Sequence, residues 1–112
     1  VAISSNDIIN YPQDNPEKMK ELWNSLGLSF PYLFDVTQEI AKRYKAECTP
    51  ESYLFDSNKK LVYRGRIDDT SPSSNYEPSG RDLRLAINNL QNNKPISDEQ
   101  FPSMGCNIKW KS

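Results

Sequence analysis

Glu47-Cys48-Thr49-Pro50, followed directly by Ser52-Tyr53-Leu54-Phe55-Asp56, is the stretch on which the fold turns. The second half carries the aromatic and aliphatic residues of a strand. Ser57-Asn58-Lys59-Lys60 supplies a turn, and Leu61-Val62-Tyr63-Arg64-Gly65-Arg66 reads as the returning strand of a hairpin. The residue before a proline is pushed toward extended geometry, which a β-branched Thr49 tolerates well. In the cis form, the Thr49-Pro50 bond makes a tight turn that exposes the backbone N–H and C=O of residue 49. Such a turn can pair with an extended peptide or hold a small thiol. In the trans form, Pro50 simply opens a strand and Cys48 is a buried inert thiol.

Upstream of this stretch, residues 1–5 (Val-Ala-Ile-Ser-Ser) read as a short strand ended by Asn6 and Asp7. Asn15 is a helix N-cap, Pro16 suits the first helical position, and Glu17 complements the helix dipole. Met19, Leu22, Trp23 and Leu26 recur at i, i+3, i+4 and i+7, so they form one apolar stripe, with Trp23 in the core and Gly27 as the stop. Phe30-Pro31-Tyr32-Leu33-Phe34 is a short edge segment. Asp35 and Gln38 have capping-box spacing ahead of a short helix with Ile40, Ala41 and Tyr44 on one face. Downstream, residues 68–80 are loop. Ser79 is the expected cap of a last helix with Asp82 three residues on, and Leu83, Ala86, Ile87 and Leu90 form its buried stripe. Residues 92–112 read as a polar tail. The order is strand, helix, short strand, short helix, hairpin, helix, which predicts an α/β architecture: a mixed sheet with an antiparallel hairpin and flanking helices.

Composition narrows the chemistry. A chain of 112 residues is one domain by length, expected as residues 1–91 followed by the tail. Fourteen basic and fifteen acidic residues leave a net charge of -1, which argues against a nucleic-acid footprint and against electrostatic membrane docking. Lys109-Trp110-Lys111 is too short to count as a nucleic-acid patch. With no histidine, His-based triads, His metal ligands and histidine pH switches are excluded. Two cysteines alone cannot build a four-ligand zinc site, and four widely spaced glycines make no phosphate-cradling loop. Asp68-Asp69 reads as a pair of turn carboxylates. Neither a metal nor a cofactor is expected. Carboxylates, hydroxyls and the thiols of Cys48 and Cys106 remain for chemistry.

The element order, together with Cys48-Thr49-Pro50-Glu51, Tyr53-Leu54-Phe55-Asp56, residues 61–69 (Leu-Val-Tyr-Arg-Gly-Arg-Ile-Asp-Asp), Phe30-Pro31-Tyr32-Leu33-Phe34-Asp35, residues 1–7 and Gly105-Cys106-Asn107-Ile108-Lys109-Trp110, resembles the C-terminal two thirds of a thioredoxin-like redoxin. Of the thioredoxin-like proteins, the alkyl hydroperoxide reductase/thiol-specific antioxidant (AhpC/TSA) family is the nearer likeness. The resemblance implies a cis Thr49-Pro50 bond, with Thr49 and Pro50 contacting substrate. It also implies that the nucleophilic thiol sits on a helix N-terminus ahead of residue 1, where the dipole lowers its pKa. Cys48 is then a resolving thiol, able to attack a sulfenic acid or a mixed disulfide, or else a packed structural cysteine. Cys106, on a flexible tail, is a secondary thiol that could pair with Cys48, with the missing cysteine or with another subunit, or stay free. Two-cysteine peroxiredoxins carry an arginine near this strand entry, whereas Thr49-Pro50 looks more like thioredoxin, so peroxide reduction and thiol–disulfide exchange both stand.

The resulting expectation is a full-length protein that is a thiol-based oxidoreductase, reducing peroxides or exchanging disulfides, with this chain inactive alone; its partner is a thiol reductant protein or a small thiol, and it is placed in the cytoplasm. The alternative is a non-enzymatic thioredoxin-fold module that binds a partner through the proline turn. The resemblance also implies a central strand between residues 1–5 and Tyr53-Leu54-Phe55. Without it, unpaired backbone groups would cost about 1–3 kcal/mol each. Three remedies follow: direct pairing of those two strands, a strand lent by a second copy in a homodimer, or a longer folded molecule, the last expected because the chain opens on a core strand without Met.

Overall fold

The computed structural model describes residues 1–71 and 73–112. These divide into two units, Val1–Glu47 with Ile108–Ser112, and Cys48–Asn107.

In the first unit, β1 (Ala2–Ser4) is joined to β2 (Tyr32–Phe34) through α1 (Pro16–Leu26), and the two strands pair in parallel, Ala2 opposite Tyr32 and Ser4 opposite Phe34. A short 3₁₀ turn, Pro12–Asp14, precedes the helix. The capping signals of α1 are realised atom by atom, whereas Leu22 and Leu26 of its apolar stripe are exposed. Asn15 Oδ1 accepts from Lys18 N at 2.9 Å, Pro16 occupies the first turn, and Gly27 ends the helix at φ 63°. Met19 is buried, and Trp23 packs against Phe30 at 4.6 Å and Tyr32 at 5.3 Å between ring centres.

The short helix α2 (Glu39–Arg43) departs from its expected cap. Asp35 Oδ2 accepts from Ala41 N (3.0 Å) and Ser5 Oγ (2.9 Å), and Thr37 Oγ1 accepts from Glu39 N (3.3 Å). Gln38 takes a left-handed backbone (φ 65°) and turns its amide inward, 2% exposed. Its Nε2 donates to Ser5 O (2.6 Å) and Lys109 O (2.9 Å), while its Oε1 accepts from Lys111 N (3.0 Å). One buried amide thus ties the end of β1 to residues 109–111, with Gln38 and Lys109 standing 71 positions apart in sequence. Asp7, also buried, accepts from Ile9 N and Asn10 Nδ2, and these bonds hold its carboxyl below the usual range.

In the second unit, β4 (Ser52–Phe55) and β5 (Leu61–Gly65) form the expected hairpin, with a bulge between Leu54 and Phe55. Asp56 Oδ1 closes the turn by accepting from Asn58 N and Lys60 N. β3 (Cys48–Thr49) pairs antiparallel with β6 (Cys106–Asn107), so part of the segment read as a tail is strand. The parallel and antiparallel pairings of a mixed sheet are both present, distributed over three two-stranded ladders, β1–β2, β3–β6 and β4–β5. The direct pairing of residues 1–5 with the Tyr53-Leu54-Phe55 strand is not among them. Ile3 and Leu33, opposite each other, are 43% and 52% exposed, which leaves one face of the parallel pair uncovered among the described residues.

The last helix, α3 (Arg81–Gln91), buries Ala86, with Leu83, Ile87 and Leu90 half-buried beside it. Its N-cap is Gly80 (φ 70°) in place of Ser79, and Asp82 pairs with Arg66 at 2.7 Å. Asp68 takes over the work of ordering this end of the helix. One carboxylate oxygen accepts from Thr70 N and Thr70 Oγ1, the other from Ser79 N (2.9 Å) and Gly80 N (2.7 Å). The Thr70 hydroxyl, with the amides of Gly80, Thr70 and Ser79, holds its pKa down to about 2. Because the folded value lies below the unfolded value of about 3.9, the stabilisation is complete above that pH and is lost as pH falls toward 2. Asp68→Asn should therefore flatten the acid limb of the stability curve between about pH 4 and pH 2, read by denaturant melts across that range. An unchanged acid limb would contradict this role.

Candidate functional site

The cysteine–proline turn is built by β3 and what surrounds it. The Thr49–Pro50 peptide bond is cis, as the resemblance implies. Cys48 is half-buried and free, and Thr49 and Pro50 are exposed. Immediately after the proline, Glu51 Oε1 accepts from Arg64 Nε at 2.9 Å, and the Arg64 guanidinium lies 5.3 Å from the Tyr53 ring centre. The turn is thereby fastened to β5. Burial pushes the Tyr53 phenol up, with the Glu51 charge adding to the effect.

Cys106 lies in β6, not on a flexible tail, and is exposed. The ladder places Cys48 opposite Asn107 and Thr49 opposite Cys106. Residues directly opposite share a face, and successive residues alternate faces, so the two cysteines point to opposite sides of this ladder. A disulfide requires Cβ atoms about 3.5–4.5 Å apart. In this register Cys48 and Cys106 do not meet that requirement, and a Cys48 disulfide must take its second sulfur from elsewhere.

Two features escape a sequence reading. Gly105 lies against the turn: a β-carbon there would come within 2.7 Å of the Thr49 carbonyl carbon and 3.0 Å of Pro50 N. Gln100 caps the edge of β5, with Oε1 accepting from Arg64 N (3.0 Å) and Nε2 donating to Val62 O (3.0 Å). Both contacts join residues more than 35 positions apart, which no local pattern reports. The adjacent carboxylates are fully engaged, Asp68 as described and Asp69 with Arg81 at 3.1 Å. Among the described residues, no three His, Cys, Asp or Glu side chains group as metal ligands, and no helix is long and apolar enough to cross a membrane.

A half-buried thiol one residue ahead of a cis Thr-Pro turn, leading into a hairpin and a final helix, defines a thioredoxin-like fold. The chain belongs to the Redoxin family, whose pattern matches residues 4–79. It is similar to the crystal structure of an uncharacterized conserved protein from Geobacillus kaustophilus, with 49% identity, a TM-score of 0.94, and coverage of 98% of this chain and 58% of that one. It is also similar to a hypothetical protein from Sinorhizobium meliloti 1021, with 40% identity, a TM-score of 0.95, and coverage of 99% of this chain and 61% of that one. The chain therefore spans about three fifths of the length of these structures. A comparison with curated proteins found no match.

Proposed function

We propose that the chain serves a thiol-based oxidoreductase, reducing peroxides or exchanging disulfides, in which Cys48 is the resolving thiol. The observation that carries this reading is the placement of Cys48: free, half-buried, and next to the exposed Thr49–Pro50 turn. It lies in strand β3, not in the first turn of a helix. A partner sulfenic acid, R–SOH, meets the Cys48 thiol. The S–O bond breaks, an S–S bond forms, and the leaving hydroxide takes the thiol proton as water. A thiol reductant then returns the disulfide to two thiols. Thr49 and Pro50 form the surface against which the reacting sulfur is held.

In the intact protein, Cys48→Ser should lower steady-state hydroperoxide turnover with dithiothreitol by about tenfold or more, because the sulfenic acid then waits on direct attack by the small thiol. Cys106→Ser should stay within about twofold of wild type, since it lies on the other face of the ladder. Turnover unaffected by Cys48→Ser would overturn the assignment. An intact protein with no turnover would favour the partner-binding module.

A further inference from the structure

The backbone edge that a proline turn would offer to a polypeptide is already occupied in this molecule. We propose that residues 100–107 act as a built-in strand over the Thr49 edge, so that the site admits a low-molecular-weight hydroperoxide or disulfide and excludes an extended protein segment. This rests on the thiol oxidoreductase reading above.

The segment is fastened at both ends. At its start, Gln100 satisfies Arg64 N and Val62 O on β5, Phe101 O accepts from Arg66 N (3.0 Å), and the Arg66 guanidinium stacks 4.2 Å from the Phe101 ring centre. Gly65 permits this approach: a β-carbon there would overlap the Phe101 carbonyl, coming within 3.2 Å of its carbon. At its end, Cys106 stands opposite Thr49 and Asn107 opposite Cys48. The N–H and C=O of one strand residue face the same neighbour, and the Gly105 backbone lies against the Thr49 carbonyl. An incoming strand would need that carbonyl and finds it covered. The Thr49 and Pro50 side chains stay exposed, which leaves room for a small molecule that needs no backbone pairing.

The test compares substrates on the intact protein, with dithiothreitol as reductant: hydrogen peroxide and oxidised glutathione against insulin, whose disulfides lie in polypeptide. Wild type should turn over at least one small substrate at about ten times the insulin rate or more. Gly105→Ala, which forces the segment away from Thr49, should raise the insulin-to-small-substrate ratio by about fivefold or more, as should Gln100→Ala, which loosens the other end. Amide hydrogen exchange at residues 49 and 106 reports release of the segment directly. Insulin turnover by wild type equal to that of the small substrates would overturn the proposal and leave the oxidoreductase reading standing. So would a segment shown by exchange to be released with the ratio unchanged. Absence of turnover on every substrate would overturn the oxidoreductase reading itself.

Discussion

Gln38→Ala should destabilise the protein by about 2–4 kcal/mol, measured as the shift in the chemical denaturation midpoint at constant slope. The substitution removes three side-chain hydrogen bonds from a residue that is 2% exposed. Lys109 O keeps a second donor in Asp7 N at 2.8 Å, whereas Ser5 O loses the Gln38 amide that reaches it at 2.6 Å. Stranding a buried acceptor costs about 1–3 kcal/mol, and the empty volume left by the side chain adds to it. Gln38→Glu is the informative companion. Its two oxygens cannot donate to Ser5 O and Lys109 O, so it should fall at least as far as the alanine variant at neutral pH, although its size is the same. Wild-type stability in either variant would show that the clamp is not what holds residues 109–111.

Gly65→Ala should cost about 2–3 kcal/mol, from two sources acting together. The backbone at Gly65 has φ 149°, a conformation that side chains rarely adopt, and the added carbon would collide with the Phe101 carbonyl. Relief requires moving Phe101, which disturbs the Arg66 N bond to its carbonyl and the Arg66–Phe101 stacking. Gly27→Ala provides the contrast. Gly27 is also left-handed, but nothing lies within 4 Å of the added carbon, so only the backbone preference, about 1 kcal/mol, is at stake. Equal losses at the two glycines would mean that the contact with Phe101 contributes nothing.

What could be read in the amino acids was local. Asn15-Pro16-Glu17 and Gly27 mark the ends of α1 because capping is decided within three or four residues, and the hairpin around Asp56 and Lys60 follows from strand formers flanking turn formers. The cis turn and the family came from resemblance to a known arrangement of elements, and the structure bears out both. The misses are of another kind. Asp35 and Gln38 have capping-box spacing, yet Gln38 satisfies backbone 33 and 71 residues away, and Asp35 caps α2 one turn further on. Ser79 does accept from Arg81 N at 3.2 Å, but the cap position itself is Gly80, and Asp68 in the loop after β5 takes the Ser79 and Gly80 amides as well. Cys106 read as tail because two residues of strand, Cys106–Asn107, carry no periodicity of their own and exist only by pairing with Cys48–Thr49. At Gln38 and Cys106 a long-range partner decided the outcome.

The role of Cys48 is tested most directly by peptide mapping with mass spectrometry after the reduced intact protein meets one equivalent of hydrogen peroxide and is then alkylated. Cys48 should be recovered in a disulfide with a cysteine other than Cys106, while Cys106 remains free and alkylated. In Cys48→Ser, the same treatment should leave a sulfenic acid that dimedone labels on the partner cysteine. Recovery of Cys48 as an alkylated free thiol in oxidised wild-type protein, with the disulfide formed elsewhere, would contradict the assignment of Cys48 as the thiol that resolves the reaction.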